Sequence, residues 1–347
     1  MSRKFPPLTV VVVLLLFPLA GTAQEKADRL EPMDVFRVQV ASDPQISPDG
    51  KRVVYVRQSA DISSDHRVSN LWVVNFDGSE HRPLTTGTYN DSSPRWSPDG
   101  TRIAFISDRD GKSQVYVRWM DSGQIAKLTD LENDPKGITW SPDGKQIAFT
   151  SLVSATPPKV ATLPAAPEGA KWADAPKVYE DLIYRFNGSG YLKPGYSQVF
   201  VVAGDGGAPR QLTSGNFPHG PGAGESGGSY PTWAPDGKSL IFSMNGTANY
   251  QYEPLHTELF EIRISDGSLT QLTHRNGPND EPEISPDGKL IAYTGFDDRY
   301  QGHQTTYLYV ANRDGSNPHA VTSKLDRDAS APRWAGDSKG IFYTYTD

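Results

Sequence analysis

At 347 residues, with 36% hydrophobic and 22% charged side chains, the chain has the composition of a soluble globular protein and not of a disordered one. A formal net charge of -7 with no basic stripe argues against nucleic acid as a partner. The absence of cysteine excludes disulfides, a lipid-attachment cysteine and a thiol nucleophile, so core burial alone must stabilise the fold.

The first residues read as an export signal. Arg3 and Lys4 precede an apolar run from Leu8 to Ala20, and Gly21 and Ala23 stand where a signal peptidase reads small residues. The run holds 13 residues, too few for a span of about 20. Residues 1–23 are therefore expected to be a signal peptide cleaved near Ala23, and the mature protein to be secreted, most simply to the periplasm, with no stable membrane anchor. Residues 24–40 follow as an N-terminal strap. Its amphipathic piece Glu31–Val40, with Val35, Phe36 and Val38, forms a helix or an extended segment.

A hairpin then recurs: ISPDGKRVVY at 46–55, WSPDGTRIAF at 96–105, WSPDGKQIAF at 140–149, WAPDGKSLIF at 233–242 and ISPDGKLIAY at 284–293. A worn copy, WAGDSKGIFY, occupies 334–343, with Asp337 beside the place of the repeated aspartate. Proline presets the first turn corner, aspartate accepts local backbone bonds, and glycine takes the left-handed position. The alternation that follows, as in Ile103-Ala104-Phe105-Ile106, has the period of a strand. A second pattern answers each hairpin, as in LWVVNFDGSEHRPLTT (71–86) and QVYVRWMDSGQIAKLTD (114–130): strand, Asp/Gly turn, and a strand ending near Leu-Thr. Four strands in about 45 residues are a β-propeller blade, whose two faces are buried only by neighbouring blades. The chain is thus expected to be all-β, a TolB-like propeller over residues 41–347 with about five complete blades and a truncated sixth. Trp96, Trp140, Trp233, Trp334, Ile46 and Ile284 end the first strand of each blade and are expected to pack between blades.

The aspartates Asp143 and Asp236 are 93 residues apart, against 44 to 51 elsewhere. Only one outer strand pair lies in that gap, so it reads as an insertion, 152–197, within the third blade. Residues 154–176 are rich in Pro and Ala, and VYEDLIYRFNGSGYLKPGYSQVFVV (178–202) is dense in aromatic residues.

Two strings match Gly-x-Ser-x-Gly, around Ser226 and Ser338. A nucleophile elbow needs a buried strand before the serine and a helix after it. Ser226 sits in a Gly/Pro-rich loop and Ser338 in the worn hairpin turn, so neither is read as catalytic. The seven histidines are spread over loops and strand ends and read as exposed loop residues. No spacing suggests a metal site; an Asp-rich turn such as Asp297-Asp298 suits Ca²⁺ by composition, but nothing in the sequence approaches an EF-hand loop. No metal and no cofactor are expected.

The opening RLEPMDVFRVQVASDPQISPDGKRVVYVR (29–57), the SPDG blades and YRFNGSGYLKPGYSQVFVV (184–202) together resemble the N-terminal propeller of a prolyl oligopeptidase-family serine peptidase, of the dipeptidyl aminopeptidase/acylaminoacyl peptidase type. The resemblance covers residues 29–347. It implies a ring of usually seven blades over a C-terminal α/β-hydrolase domain with a Ser-Asp-His triad, where the propeller limits access to short peptides. On this reading the chain is the access and specificity domain of a peptidase that cleaves short units from peptide N-termini, it lacks the hydrolase domain, and it is inactive alone. The alternatives are a TolB-like module binding a protein or glycan, and a scaffold in a cell-envelope complex. The resemblance further implies that propeller loops hold the peptide's N-terminal end, a carboxylate meeting the ammonium and an arginine a carbonyl. The candidates are Glu180, Asp181, Arg185, Asn187 and Tyr191. Against this stands the reading that Tyr184, Phe186 and Tyr191 pack the insertion onto its blade.

Overall fold

A computed structural model of the chain describes residues 30–156, 162, 164–170, 176–221 and 228–346. The expected signal peptide, its Ala23 cleavage site and Ser226 lie outside these residues. The first sheet is β1 (Val40–Ile46), β2 (Arg52–Asp61), β3 (His66–Asn75) and β4 (Arg82–Pro83). The second is β5 (Asp91–Trp96), β6 (Arg102–Ser107), β7 (Gln114–Trp119) and β8 (Ile125–Lys127). The third joins β9 (Lys136–Trp140) and β10 (Gln146–Ser154) to β13 (Gly195–Ala203) and β14 (Arg210–Gln211). Between β10 and β13, β11 (Arg185–Phe186) and β12 (Gly190–Tyr191) form a hairpin of their own. The fourth sheet is β15 (Ser229–Trp233), β16 (Ser239–Met244), β17 (Glu258–Arg263) and β18 (Leu269–Gln271). The fifth is β19 (Asn279–Ile284), β20 (Leu290–Gly295), β21 (Tyr307–Asn312) and β22 (His319–Ala320), and β23 (Ala329–Trp334) pairs β24 (Ile341–Tyr345) in a two-stranded sixth.

First strands touch first strands in order: β1 meets β5, β5 meets β9, β9 meets β15, β15 meets β19, and β19 meets β23. That succession around an axis is a propeller of antiparallel blades. One short helix, α1 (Asp34–Arg37), precedes β1 and buries none of its residues, which settles the helix-or-strap alternative. Among the described residues no helix is long and apolar enough to cross a membrane.

Each repeated letter has a bond to make. In the third sheet Ser141 Oγ donates to Asp143 Oδ1 at 2.6 Å and accepts the Gln146 N–H at 2.9 Å, while Asp143 Oδ1 also accepts the Lys145 N–H at 3.1 Å. The serine hydroxyl, then the backbone N–H, hold the carboxyls of Asp49, Asp143 and Asp287 below the usual range. Gly144 closes the turn at φ +68°. In the worn copy Ser338 takes this left-handed place at φ +61°, and Asp337 Oδ1 accepts the Lys339 N–H at 3.0 Å. Asp337 therefore occupies the position of the repeated aspartate itself, a correction to its expected offset. The threonine of each Leu-Thr closes the outer strand pair. The hydroxyls of Thr85, Thr129, Thr213, Thr273 and Thr322 accept the N–H of Leu71, Val115, Val199, Leu259 and Leu308 at 2.9–3.0 Å.

The core lies between sheets. Val54, Leu71 and Val73 of the first sheet pack with Trp96, Ile103 and Phe105 of the second, and the same arrangement recurs at each later joint. The tryptophans also clasp the preceding first strand. Trp96 Nε1 donates to Gln45 O at 3.1 Å, Trp140 to Arg95 O at 3.0 Å, Trp233 to Thr139 O at 3.2 Å, and Trp334 to Glu283 O at 3.0 Å. Ile284 is buried at its joint without such a bond. Ile46 departs from the expected packing. It is 60% exposed, because among the described residues no first strand lies against that side of β1.

The insertion is shorter than expected. β10 and β13 pair in unbroken register from Gln146↔Ala203 to Ser154↔Gly195, which leaves 155–194 between them. Continuous cross-strand pairing carried both strands past the boundaries suggested by composition.

Candidate functional site

The SPDG and Asp-Gly turns gather at one end of the blades, and the loops between second and third strands gather at the other. The insertion is one of these second-to-third loops, so it emerges at the loop end. The loop end exposes large apolar side chains: Leu182 and Phe186 of the insertion, Tyr252 of the 245–257 loop and Tyr300 of the 296–306 loop.

Beneath the insertion is a cleft of about 600 Å³, lined by the loop ends of the third and fourth sheets and by the insertion itself. Its wall on the third sheet is a fixed polar network. Asn133 is buried; its Nδ2 donates to Leu152 O at 3.0 Å and Ser154 Oγ at 3.1 Å, and its main-chain carbonyl accepts the Ser151 hydroxyl at 3.0 Å. Lys193, where the insertion returns to β13, donates from Nζ to Asn133 Oδ1 at 3.0 Å. Lys136 opens β9 and is exposed beside it. The next residue, Gly137, is left-handed at φ +61°, and the ring of Tyr230 lies so close that a Cβ there would come within 2.2 Å of it. A backbone approach this tight admits glycine alone. Tyr230 is thereby laid across from the fourth sheet as a wall of the cleft. Burial pushes the phenols of Tyr230 and Tyr250 above their ordinary range, so both stay neutral donors.

The insertion forms the remaining side. Gln251 Nε2 donates to Asp181 Oδ1 at 2.7 Å, and Gln251 Oε1 accepts the Leu182 N–H at 2.6 Å, so one side chain of the fourth sheet's loop ties the insertion across the cleft. Tyr179, Tyr184 and Tyr191 stack on one another with centroids 5.5–6.2 Å apart. Tyr184 and Tyr191 remain 47% and 60% exposed, and Phe186 is exposed as well. The alternative in which Tyr184, Phe186 and Tyr191 pack the insertion onto its blade does not describe them: all three are exposed, and the two tyrosines stack with Tyr179.

The structure brings two of the five expected residues, Asp181 and Tyr191, to the cleft lining. Arg185 pairs across the hairpin with Tyr191, its guanidinium 6.0 Å from the ring centroid, outside that lining. Asn187 stands in the exposed turn between β11 and β12, and Glu180 is exposed just before Asp181. Sequence reasoning missed Asn133, Lys136, Lys193, Tyr230, Tyr250 and Gln251. The one legible signal was the aromatic run Tyr250-Gln251-Tyr252 in the matching loop of the next blade.

His219 also departs from expectation. It is buried, 2% exposed, and stacks on Phe217 at 4.9 Å, between two cleft-lining prolines, Pro218 and Pro221. Burial lowers its imidazole to about 4, which keeps it neutral, and its Nδ1 has no hydrogen-bond partner. Ser338 Oγ accepts the Asp287 N–H at 3.1 Å, and strand β24, not a helix, follows it. Asp297 pairs with Arg275 at 3.7 Å, and Asp298 accepts the Tyr300 N–H and the Gln304 amide. Among the described residues no group of three His, Asp or Glu side chains is placed to hold a metal ion.

Residues 31–162 match the family model of the TolB beta propeller domain. An uncharacterized peptidase, YuxL, of Bacillus subtilis is 31% identical over 224 residues, 62% of this chain and 31% of that protein. Dipeptidyl-peptidase 5 of Porphyromonas gingivalis is 26% identical over 331 residues, 94% of this chain and 47% of that protein. The chain thus spans half or less of the length of these relatives. Among solved structures, acylaminoacyl peptidase of Pyrococcus horikoshii superposes with a TM-score of 0.65 at 18% identity, over 90% of this chain and 43% of that one, a likeness of fold. The fold is thus a TolB-like β-propeller, and the chain is similar in sequence to parts of bacterial peptidases.

Proposed function

We propose that this propeller is the access and substrate-holding domain of an exported serine peptidase that removes short units from peptide N-termini. On this reading the Ser-His-Asp acyl-enzyme chemistry belongs to an α/β-hydrolase domain outside this sequence. The observation that carries the reading is the insertion cleft, a concave site of about 600 Å³ in which tyrosine rings alternate with fixed polar groups. Asp181 offers a carboxylate to a peptide ammonium, and Tyr191 offers an apolar face to the first side chains. Glu180, Arg185 and Asn187, on the rim, reach a longer peptide. The exposed apolar loop end, with Leu182, Phe186 and Tyr252, suits a covering domain, since patches of this kind mark contact surfaces. Homology to peptidases at least twice as long supports the assignment.

Calorimetric titration of the mature chain with the tripeptide Ala-Phe-Ala tests it. Saturable binding that Asp181→Asn and Tyr191→Ala each weaken about fivefold or more is expected, as for loss of one charged or one aromatic contact. No binding of the tripeptide, with binding of a glycan or a folded protein instead, would overturn the peptidase reading. It would support the TolB-like binding module, which the match over residues 31–162 also accommodates.

A further inference from the structure

The cleft contains two cations that ion pairing does not consume among the described residues. Lys136 and Lys193 both line it, one at the start of β9 and one at the end of the insertion. Among the described residues neither ammonium is paired with a carboxylate, whereas Lys127, Lys145 and Lys289 each are. Lys193 is positioned rather than free. Its one bond is to Asn133 Oδ1, and Asn133 is only 7% exposed, with both amide protons already given to Leu152 O and Ser154 Oγ. A buried amide with both N–H protons given to fixed acceptors has its oxygen oriented by them, and that oxygen holds the ammonium at one place on the wall. An ammonium has three donors, and this bond uses one. Lys136 leads into the left-handed Gly137, over which Tyr230 is laid, so its backbone is as fixed as its neighbour's. The acids of the lining are Asp134, two residues before Lys136, and Asp181, one of whose oxygens accepts from Gln251. The two lysines thus enter the cleft from the third sheet and the insertion's return, with Asp134 close in sequence to Lys136, while Asp181 is tied to the fourth sheet's loop through Gln251.

We propose that Lys136 and Lys193 together bind a carboxylate of the ligand, so that the site takes short peptides ending in a free carboxylate in preference to internal segments of longer chains. This rests on the peptide-holding reading of the cleft and adds the end of the peptide that reading left unassigned. A bound peptide then spans the cleft with its carboxylate at the lysines and its side chains against Tyr191 and Tyr230. Chain length is limited because both ends are engaged.

The test compares three probes by calorimetry on the mature chain: Ala-Phe-Ala, its C-terminal amide, and Ala-Phe-Glu-amide. The acid is expected to bind about tenfold tighter than its amide, as for one charge-assisted contact. Lys136→Met and Lys193→Met are each expected to collapse that gap by weakening the acid about tenfold and the amide much less, whereas general damage to the cleft would weaken both alike. Ala-Phe-Glu-amide distinguishes the sources of the carboxylate: affinity at the level of the amide assigns the lysines to the main-chain terminus, and affinity at the level of the acid extends them to an acidic side chain. Equal affinity for acid and amide in the unsubstituted protein would overturn carboxylate recognition and leave the peptide cleft standing. No binding of any probe would overturn both.

Discussion

One letter of the repeat meets three environments, and its replacement tests the account of what holds the ring together. Trp140 is buried between the second and third sheets, donates to Arg95 O at 3.0 Å and lies under the Arg102 guanidinium at 4.7 Å. Trp140→Phe deletes the hydrogen bond, about 1 kcal/mol, leaves a cavity where the second ring was, about 1–2 kcal/mol, and weakens the cation–π contact by about 0.5 kcal/mol. The expected loss is about 2–4 kcal/mol. Ile284 has the same place at the next-to-last joint, buried but without the clasp, and Ile284→Ala is expected to cost about 2–5 kcal/mol through the cavity alone. Ile46 is 60% exposed, and Ile46→Ala is expected to change stability by less than about 0.5 kcal/mol. Urea unfolding followed by far-UV circular dichroism reads all three without depending on tryptophan emission, and the midpoints shift at constant slope if only the folded state is affected. An Ile46→Ala cost equal to that of Ile284→Ala would show that burial between sheets is not what the repeated position contributes.

Other consequences are as direct. Thr213→Val removes the acceptor of the buried Val199 N–H at 2.9 Å and is expected to destabilise by about 1–3 kcal/mol by the same assay. Ser338→Gly relieves a left-handed residue at φ +61° but removes the acceptor of the exposed Asp287 N–H, so a net change within about 1 kcal/mol is expected, while a fluorophosphonate probe labels neither Ser338 nor Ser226 in the unsubstituted chain. Gly137→Ala forces the Tyr230 ring away and strains the bulge of β9; a loss of about 1–3 kcal/mol and weakened Ala-Phe-Ala binding are expected by denaturation and calorimetry. His219 titrates near 4 when folded against 6.5 when unfolded, so the unfolded chain takes up its proton first and stability falls as pH drops from 6.5 to 4. That loss, at most about 3 kcal/mol, should be absent in His219→Phe, and an unchanged pH profile would refute the buried neutral imidazole.

The sequence by itself determined the blade. Pro-Asp-Gly turns, period-two strands and Leu-Thr closures are local devices, and each has the bond its chemistry requires, from Ser141 on Asp143 to Thr129 on the Val115 N–H. The first-strand ends were legible to the residue, since Ile46, Trp96, Trp140, Trp233, Ile284 and Trp334 each close a strand. Asp181 and Tyr191 could be picked out because the insertion interrupts a regular spacing. What surrounds them could not. Gln251 meets Asp181 across 70 residues and Lys193 meets Asn133 across 60, and neither pairing has a period to betray it. His219 looked like a loop residue because its loop is rich in proline and glycine, but Phe217 and Phe242 close over it. Ile46 looked like core because its counterparts are core. Local pattern reports how a strand begins, turns and ends. Which side chains share a cleft, and which repeated residue lacks a neighbour, depends on how whole sheets are placed around the axis, and only the tertiary structure decides that.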